Sequence, residues 1–229
     1  MPPHYPVQVI EIRVGSATDA TAIARVRRES WHAAYAGIIA APIIDRATET
    51  GGSAADPPPY RRTLVAEAGE GPAVIGYASY GPERTVATAS PPPTAAAHGQ
   101  PVQGQLPVAP PPAAPLSEAR LPANAFPPAP HGMDPLTAEG RAGLVGELYA
   151  LYIAPAWWSA GVGRELMSRA LTGLRADGYQ RVVLWVLTDN ARARRFYEIA
   201  GFAPDGATNI LTGLGGVQEL RYARLFASA

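Results

Sequence analysis

The sequence contains no cysteine in 229 residues. Disulfides, thiolate metal sites and cysteine nucleophiles are thereby excluded, while the redox compartment is left undefined. It also carries no net charge, because 19 Lys and Arg balance 19 Asp and Glu. A nucleic-acid binder would show a basic domain or stripe, and electrostatics makes no case for one. No apolar run approaches the ~20 residues that span a bilayer. The opening, MPPHYPVQVIEIRV, has no basic segment followed by an apolar one and does not read as a secretory signal. The expectation is a soluble, cytoplasmic protein with neither nucleic acid nor membrane as partner. The length suffices for one well-buried core.

Hydrophobic patterning supplies the elements. Val7 to Val14 alternates and is β-branched, which predicts a strand. Thr18 or Asp19 can cap a helix that follows, with Ile23, Val26, Ser30, Trp31, Ala34 and Tyr35 at helical spacing and Gly37 at its end. Residues 45–54 are weakly patterned. Arg62 to Ala68 and Ala73 to Gly81 predict two strands joined as a hairpin through GEGP. Gly143 to Ala154 predicts a strand, Gly161 to Ala176 an amphipathic helix, and Arg181 to Thr188 a strand buried on both faces. A short helix in DNARARRFYEIAG, capped by Gly201, and a last strand from Val217 to Phe226 complete the series. Strand–helix–strand–helix–strand after a hairpin is an α/β pattern with a mixed sheet.

Between these parts the composition changes. Ala89 to Gly132 is rich in Pro and Ala and shows neither period. Its prolines remove backbone donors and forbid helix or central strand. Residues of about 86–136 therefore read as a disordered or polyproline-like insertion. It interrupts one domain spanning 1–229 rather than separating two, because the strands before it have a single helix to pack on.

The stretch WWSAGVGREL, Trp157 to Leu166, places two glycines between a strand and a helix. A helix N-terminus presents unpaired N–H groups and the positive end of the dipole, and glycine lets an anion approach closely. Ala160, Gly161, Val162, Gly163 and Arg164 would supply such donors. A tight turn explains the glycines equally well. The dinucleotide fingerprint fails because its third glycine position is Leu166, and the Walker loop fails for want of Lys.

ELYALYIAPAWWSAGVGRELM followed by LWVLTDNARARRFYEIAGF resembles the GNAT superfamily of acyl-CoA-dependent N-acetyltransferases. The family's second segment, N-x-x-A-x-x-x-Y-x-x-x-G-F, is matched by Asn190, Ala193, Tyr197, Gly201 and Phe202. IRVGSATDATAIARVRRESWHAAYAGII looks like its first strand and helix. The resemblance covers the chain except the proline-rich part. It implies a mixed, mostly antiparallel central sheet flanked by helices, acetyl-CoA as cosubstrate, and acetyl transfer to an amine by direct attack. By resemblance, main-chain groups of Leu151, Tyr152 and Ile153 pair with the pantetheine arm. Ser159, Ala160, Gly161, Val162, Gly163 and Arg164 form the pyrophosphate loop, and Asn190 contacts the cofactor. Trp158 stands where the family's loop carries Gln or Arg, which removes a side-chain donor and leaves the backbone cradle.

Acetyl transfer needs a polarised thioester, a neutral amine and a protonated leaving thiolate. Asn190 and Tyr197 lie seven apart, about two helical turns, and share a face. Tyr197 resembles the family's proton donor; a half-buried packing tyrosine and an Asn N-cap are the ordinary alternatives. Glu147, four residues before Leu151 and placed with it and Tyr149 on one strand face, sits where some histone-acetylating members carry their base. A solvated strand-edge Glu is the alternative. Members that acetylate ribosomal protein N-termini place a Glu where this chain has Trp185. His32 is a further candidate base, and Trp31 and Tyr35 can pack or wall an acceptor pocket. The acceptor stays open among a small amine, an amino acid and a peptide N-terminus, and a homodimer is left open. Two rivals are an acyl-CoA-binding sensor without transfer activity and an interaction protein acting through its proline-rich segment.

Overall fold

A computed structural model describes residues 10–49, 60–69, 73–84 and 145–226. The insertion of about 86–136, residues 7–9 of the first expected strand and residues 70–72 of the hairpin turn lie outside the described residues.

Seven strands form one sheet in the order β1-β2-β3-β4-β5-β7-β6. They are β1 (Ile10–Val14), β2 (Arg62–Ala68), β3 (Val74–Pro82), β4 (Val145–Ile153), β5 (Arg181–Leu187), β6 (Ala203–Leu211) and β7 (Val217–Leu225). Every neighbouring pair is antiparallel except β4 and β5. Four helices flank it: α1 (Ala20–Ala34), α2 (Ala41–Glu49), α3 (Val162–Ala176) and α4 (Ala191–Ile199). The fold is the expected mixed, mostly antiparallel sheet with helices on both faces.

The apolar stripe of α3 decides where the main core sits. Val162, Leu166, Met167, Ala170, Leu171 and Leu174 are buried against Ala78, Tyr80, Leu148, Val182 and Leu184. Each fully buried aliphatic side chain contributes roughly 1.5–3 kcal/mol. Ala193, Phe196 and Tyr197 of α4 pack on the same cluster, so α3 and α4 share one face. Val26 of α1 lies with Val65, Val74 and Tyr77 on the other face, and Ile44 of α2 with Ile39 and Leu187.

Two elements escaped the sequence reading. α2 falls in a weakly patterned stretch; it is set by burial of Ile44 and by Thr48, whose hydroxyl donates to Ile44 O at 2.9 Å. β6 contains Pro204 and Gly206, which argue against a strand. It is tolerated because β6 lies at the sheet edge and its pairing with β7 breaks between Pro204 and Thr208. The two described chain ends beside the proline-rich segment meet: Glu83 N donates to Val145 O at 2.8 Å. Whatever lies between them starts and finishes at one point of the β3–β4 pair.

The entry to α1 is held by charge. Ser16 N donates to Asp19 Oδ2 at 2.7 Å, and Arg13 donates to both Asp19 oxygens at 2.8 and 2.7 Å. Arg13 also reaches Glu67 on β2 at 2.7 Å, tying β1, β2 and α1 together. The Arg13 hydrogen bonds hold the Asp19 carboxyl well below the usual carboxylate range, against burial and with help from Ser16. Because the folded value lies below the unfolded one of about 3.9, this stabilisation is present above that pH and lost as pH falls through the folded value. Asp19→Asn is expected to cost about 2 kcal/mol at pH 7, discounted because Arg13 is 35% exposed. The gap in melting temperature from the native chain should narrow below about pH 4, and a pH-independent gap would refute the charge argument.

Candidate active site

The site begins where two strands part. β4 and β5 pair only through Val145↔Arg181, Gly146↔Val182 and Glu147↔Val183. Beyond these, β4 continues with β3 and β5 with β7, and a wedge opens between them. Ala154 N donates to Ile75 O at 2.8 Å. Antiparallel pairs alternate, so main-chain groups of Tyr152 turn toward Tyr77, and those of Leu151 and Ile153 turn into the wedge. Of the three residues expected to offer main-chain partners, two therefore face the opening and Tyr152 faces β3. Ile153 O already accepts from Ser30 Oγ and from Trp158 Nε1, both at 2.8 Å.

The glycine turn closes the wide end. Gly161 has φ 88° and caps α3. Arg164 N and Glu165 N donate back to Gly161 O at 3.0 and 3.1 Å. The amides of Gly161, Val162 and Gly163 have no main-chain acceptor among the described residues. A Cβ built on Gly161 would meet nothing within 4 Å, so the turn is open to a ligand. Gly163 is glycine for another reason. A Cβ there would lie 3.2 Å from Ile153 Cδ1 and 3.7 Å from Phe196, so its bareness lets α3 approach β4 and α4. Gly163→Val consequently reports on packing as well as on any ligand. Ser159 and Ala160 are exposed, with Ser159 at φ 68°; Val162 is buried in the core, and Arg164 is exposed.

Trp158 links the two arms of the wedge. Its indole N–H caps the end of β4 at Ile153 O, and the Arg192 guanidinium of α4 lies 4.1 Å over its ring. A cation thus stands beside the glycine turn although the loop itself has Trp where Gln or Arg was expected.

Asn190 caps α4, its Oδ1 accepting from Ala193 N at 3.1 Å. Tyr197, two turns on, packs on Phe196 and Phe202 at 5.4 and 6.1 Å. Burial pushes the Tyr197 phenol up, and Tyr152 adds to this. Tyr152 is the second cause, after burial, of raised phenol values at Tyr35 and Tyr77 as well. Tyr152 therefore sits among three phenols, one of them from α4 across the wedge. Trp31 extends the aromatic wall, 5.2 Å from Tyr35 and 6.3 Å from Tyr152, and Tyr77 lies 5.6 Å from Tyr152. His32 points elsewhere, into an exposed pair with Asp45 at 2.9 Å.

Glu147 requires a correction. It shares a face with Tyr149 but not with Leu151, because β4 bulges. Ser79 pairs with Ala150 and Tyr80 with Leu148, leaving Tyr149 as an extra residue. Leu148 and Leu151 pack toward α3, whereas Ala150 and Tyr152 pack toward α1. Glu147 lies on the α1 side and is completely buried, not solvated at an edge. Arg84 holds both of its oxygens: Arg84 N donates to Oε2 at 2.8 Å, and Nε and a terminal nitrogen donate to Oε1, the first at 2.9 Å. The same guanidinium stacks 4.9 Å over Tyr149.

Glu219, Tyr77, Arg84 and Arg192 were not singled out from sequence. No local pattern marks them; each is brought in by strand register or helix packing.

Comparison with known proteins supports the motif reading. Residues 127–202 match the acetyltransferase (GNAT) family. A mycothiol acetyltransferase of Beutenbergia cavernae is 51% identical over 59 residues, 26% of this chain and 20% of that protein. The matched region thus spans about a fifth of that relative's length. In three dimensions the chain resembles PaiA N-acetyltransferase of Thermoplasma acidophilum, solved in complex with coenzyme A. The TM-score is 0.56 at 16% identity, covering 95% of this chain and 99% of that one. YncA of Salmonella typhimurium, solved with acetyl-CoA, gives 0.51 at 16% identity over 96% of each chain. These two likenesses carry the fold.

Gly161 provides the check on the turn. A left-handed conformation costs an ordinary residue roughly 1–2 kcal/mol, and Asn less. Gly161→Ala should lower stability by about that amount, and Gly161→Asn by less, read as the urea midpoint at constant slope. Equal stability of all three proteins would mean the turn is not held at positive φ.

Proposed function

We propose that the chain is a member of the GNAT superfamily and an acyl-CoA-dependent N-acetyltransferase moving an acetyl group from acetyl-CoA to an amine. The observation that carries this reading is the coincidence, in one wedge, of unpaired β4 main chain, an unobstructed αL glycine turn at a helix N-terminus, and Tyr197 from the opposite wall.

The residues present fit the cosubstrate. Amides of Gly161, Val162 and Gly163 and the dipole of α3 suit a pyrophosphate, with Ser159, Ala160 and Arg164 at its rim and Arg192 as nearby cation. Main-chain groups of Leu151 and Ile153 suit the amides of a pantetheine arm, and Asn190 borders the same opening. When bound, acetyl-CoA supplies an activated acyl group. What the chain adds is orientation, polarisation of the carbonyl by a main-chain donor, and protons.

Tyr197 supplies the leaving-group proton. Its raised phenol stays protonated throughout the neutral range. Against a thiol of about 8.5, full transfer from a raised phenol is uphill. Tyr197 therefore acts by hydrogen-bonding the thiolate as charge develops and transferring its proton as the acceptor nitrogen gives one back. The unobstructed turn at Gly161 and the protonated Tyr197 phenol support transfer over a sensor without transfer activity.

The test is release of free thiol from acetyl-CoA across an amine panel, alongside a thermal shift with acetyl-CoA. No shift at millimolar acetyl-CoA would sink the proposal. Tyr197→Phe should leave melting temperature and acetyl-CoA affinity almost unchanged and cut turnover at least tenfold, the low end of the ~10²–10⁴ typical of general-acid work. Undiminished turnover of the Phe variant, with chemistry rate-limiting, would remove the acid role.

A further inference from the structure

Direct transfer demands a neutral amine, and an alkylammonium of about 10 is almost wholly charged at pH 7. A proton acceptor must stand on the acceptor side of the wedge. Four carboxylates lie on or beside the sheet there, and the structure distinguishes them by their partners. Glu147 is clamped through both oxygens by Arg84. Glu83 is paired with Arg221 at 2.7 Å. Asp205 is paired with Arg181 at 2.5 Å and Arg221 at 2.8 Å. Glu219 alone of the four has no arginine ion pair among the described residues; its Oε1 accepts from Asn209 Nδ2 at 2.9 Å.

Strand register places it. Glu219 is directly opposite both Leu187 on β5 and Asn209 on β6, so these side chains share a face. Leu187 packs in one cluster with Trp31 and Tyr35, which identifies that face as the side of α1 and α2. In that cluster the buried Trp31 Nε1 has no partner among the described residues. A half-buried carboxylate, one unsatisfied indole N–H and an aromatic wall thus lie on one face of the sheet next to the wedge.

We propose that Glu219, held by Asn209, takes the proton from the acceptor ammonium, and that the acceptor is an amine whose apolar body lies along Trp31, Tyr35 and Tyr152. This rests on the acetyltransferase reading above. One ammonium proton passes to the Glu219 carboxylate and on to solvent. The nitrogen lone pair then forms the C–N bond to the acetyl carbon, the C–S bond breaks, and the electron pair leaves on sulfur. Tyr197 protonates the sulfur and recovers a proton from the new amide nitrogen. Burial pushes the Glu219 carboxyl up, opposed by Asn209 and Arg84 and reinforced by Glu147. Arg221, two residues along β7 and paired with Glu83 and Asp205, and the phenols of Tyr35, Tyr77, Tyr149 and Tyr152 are further ionisable groups on this face among the described residues. Aromatic faces suit an ammonium before it is deprotonated. Glu147, bound to Arg84, is then a positioning residue that keeps that guanidinium off Glu219.

The test uses Glu219→Gln, which keeps the shape and an acceptor for Asn209. Two acceptors are compared: benzylamine, charged at pH 7, and O-benzylhydroxylamine, neutral at pH 7. The expected result is a loss of at least tenfold in kcat/KM with benzylamine at pH 7. That deficit should shrink toward the pH at which benzylamine loses its own proton, and O-benzylhydroxylamine should show little deficit. Melting temperature and acetyl-CoA affinity should be nearly unchanged. An equal deficit with both acceptors at every pH, or no deficit with benzylamine, overturns the assignment. No transfer to either acceptor by the native chain, with the acetyl-CoA thermal shift retained, overturns the acceptor class. Loss of the thermal shift itself overturns the acetyltransferase reading instead.

Discussion

Three residue pairs of parallel strand join two antiparallel halves into one sheet. Everything functional follows from how short that join is. If β4 and β5 stayed paired to their ends, the main chain of Leu151 and Ile153 would be satisfied by β5, and no ligand could share it. Beyond the join, β4 is held along its length by β3 on its other edge, and β5 by β7. The wedge is thus bounded by well-paired walls, and its inner edges carry main-chain groups without a strand partner among the described residues, Ile153 O being taken by Ser30 and Trp158. Trp158, bonded to β4 and stacked under Arg192 of α4, links the two walls at the wide end.

The bulge at Tyr149 has a separate effect. It reverses the facing of β4 between Leu148 and Ala150, so Glu147 and Tyr152 end on the same side of the sheet although they are five apart. Without it, strict alternation would put Tyr152 with Leu148 in the α3 core, and the wedge would lose the phenol around which Tyr35, Tyr77 and Tyr197 gather. The same device buries Glu147, and burial of a carboxylate is tolerated only with a partner such as Arg84.

Charge on the acceptor side is nearly balanced. Arg84, Arg181 and Arg221 answer Glu147, Asp205 and Glu83 through ion pairs that run across β3, β4, β5, β6 and β7. Such a network fixes positions more than it adds net stability. Burial raises the Glu83 and Glu219 carboxyls alike, and Glu219 meets it without an arginine ion pair among the described residues.

The sequence by itself determined most of the elements and the order of the two motifs. Period-2 and period-3.6 runs are local properties, and helix α3, strand β5 and the caps at Gly161 and Asn190 are specified by neighbours in the chain. Local rules also explain the failures. β6 contains Pro204 and Gly206 and forms only because an edge position relieves it of one set of hydrogen bonds; α2 has weak patterning and forms because Ile44 finds a pocket. The facing of Glu147, the different reasons for Gly161 and Gly163, and the company of Tyr152 were decided by tertiary structure alone. A bulge, a helix so close that a Cβ on Gly163 would lie 3.2 Å from Ile153 Cδ1, and a phenol crossing a wedge depend on residues far apart in the chain, and no local period carries them. Glu219 is the extreme case: its identity is written in the sequence, but its bond to Asn209 and its place beside Leu187 exist only once β5, β6 and β7 are in register.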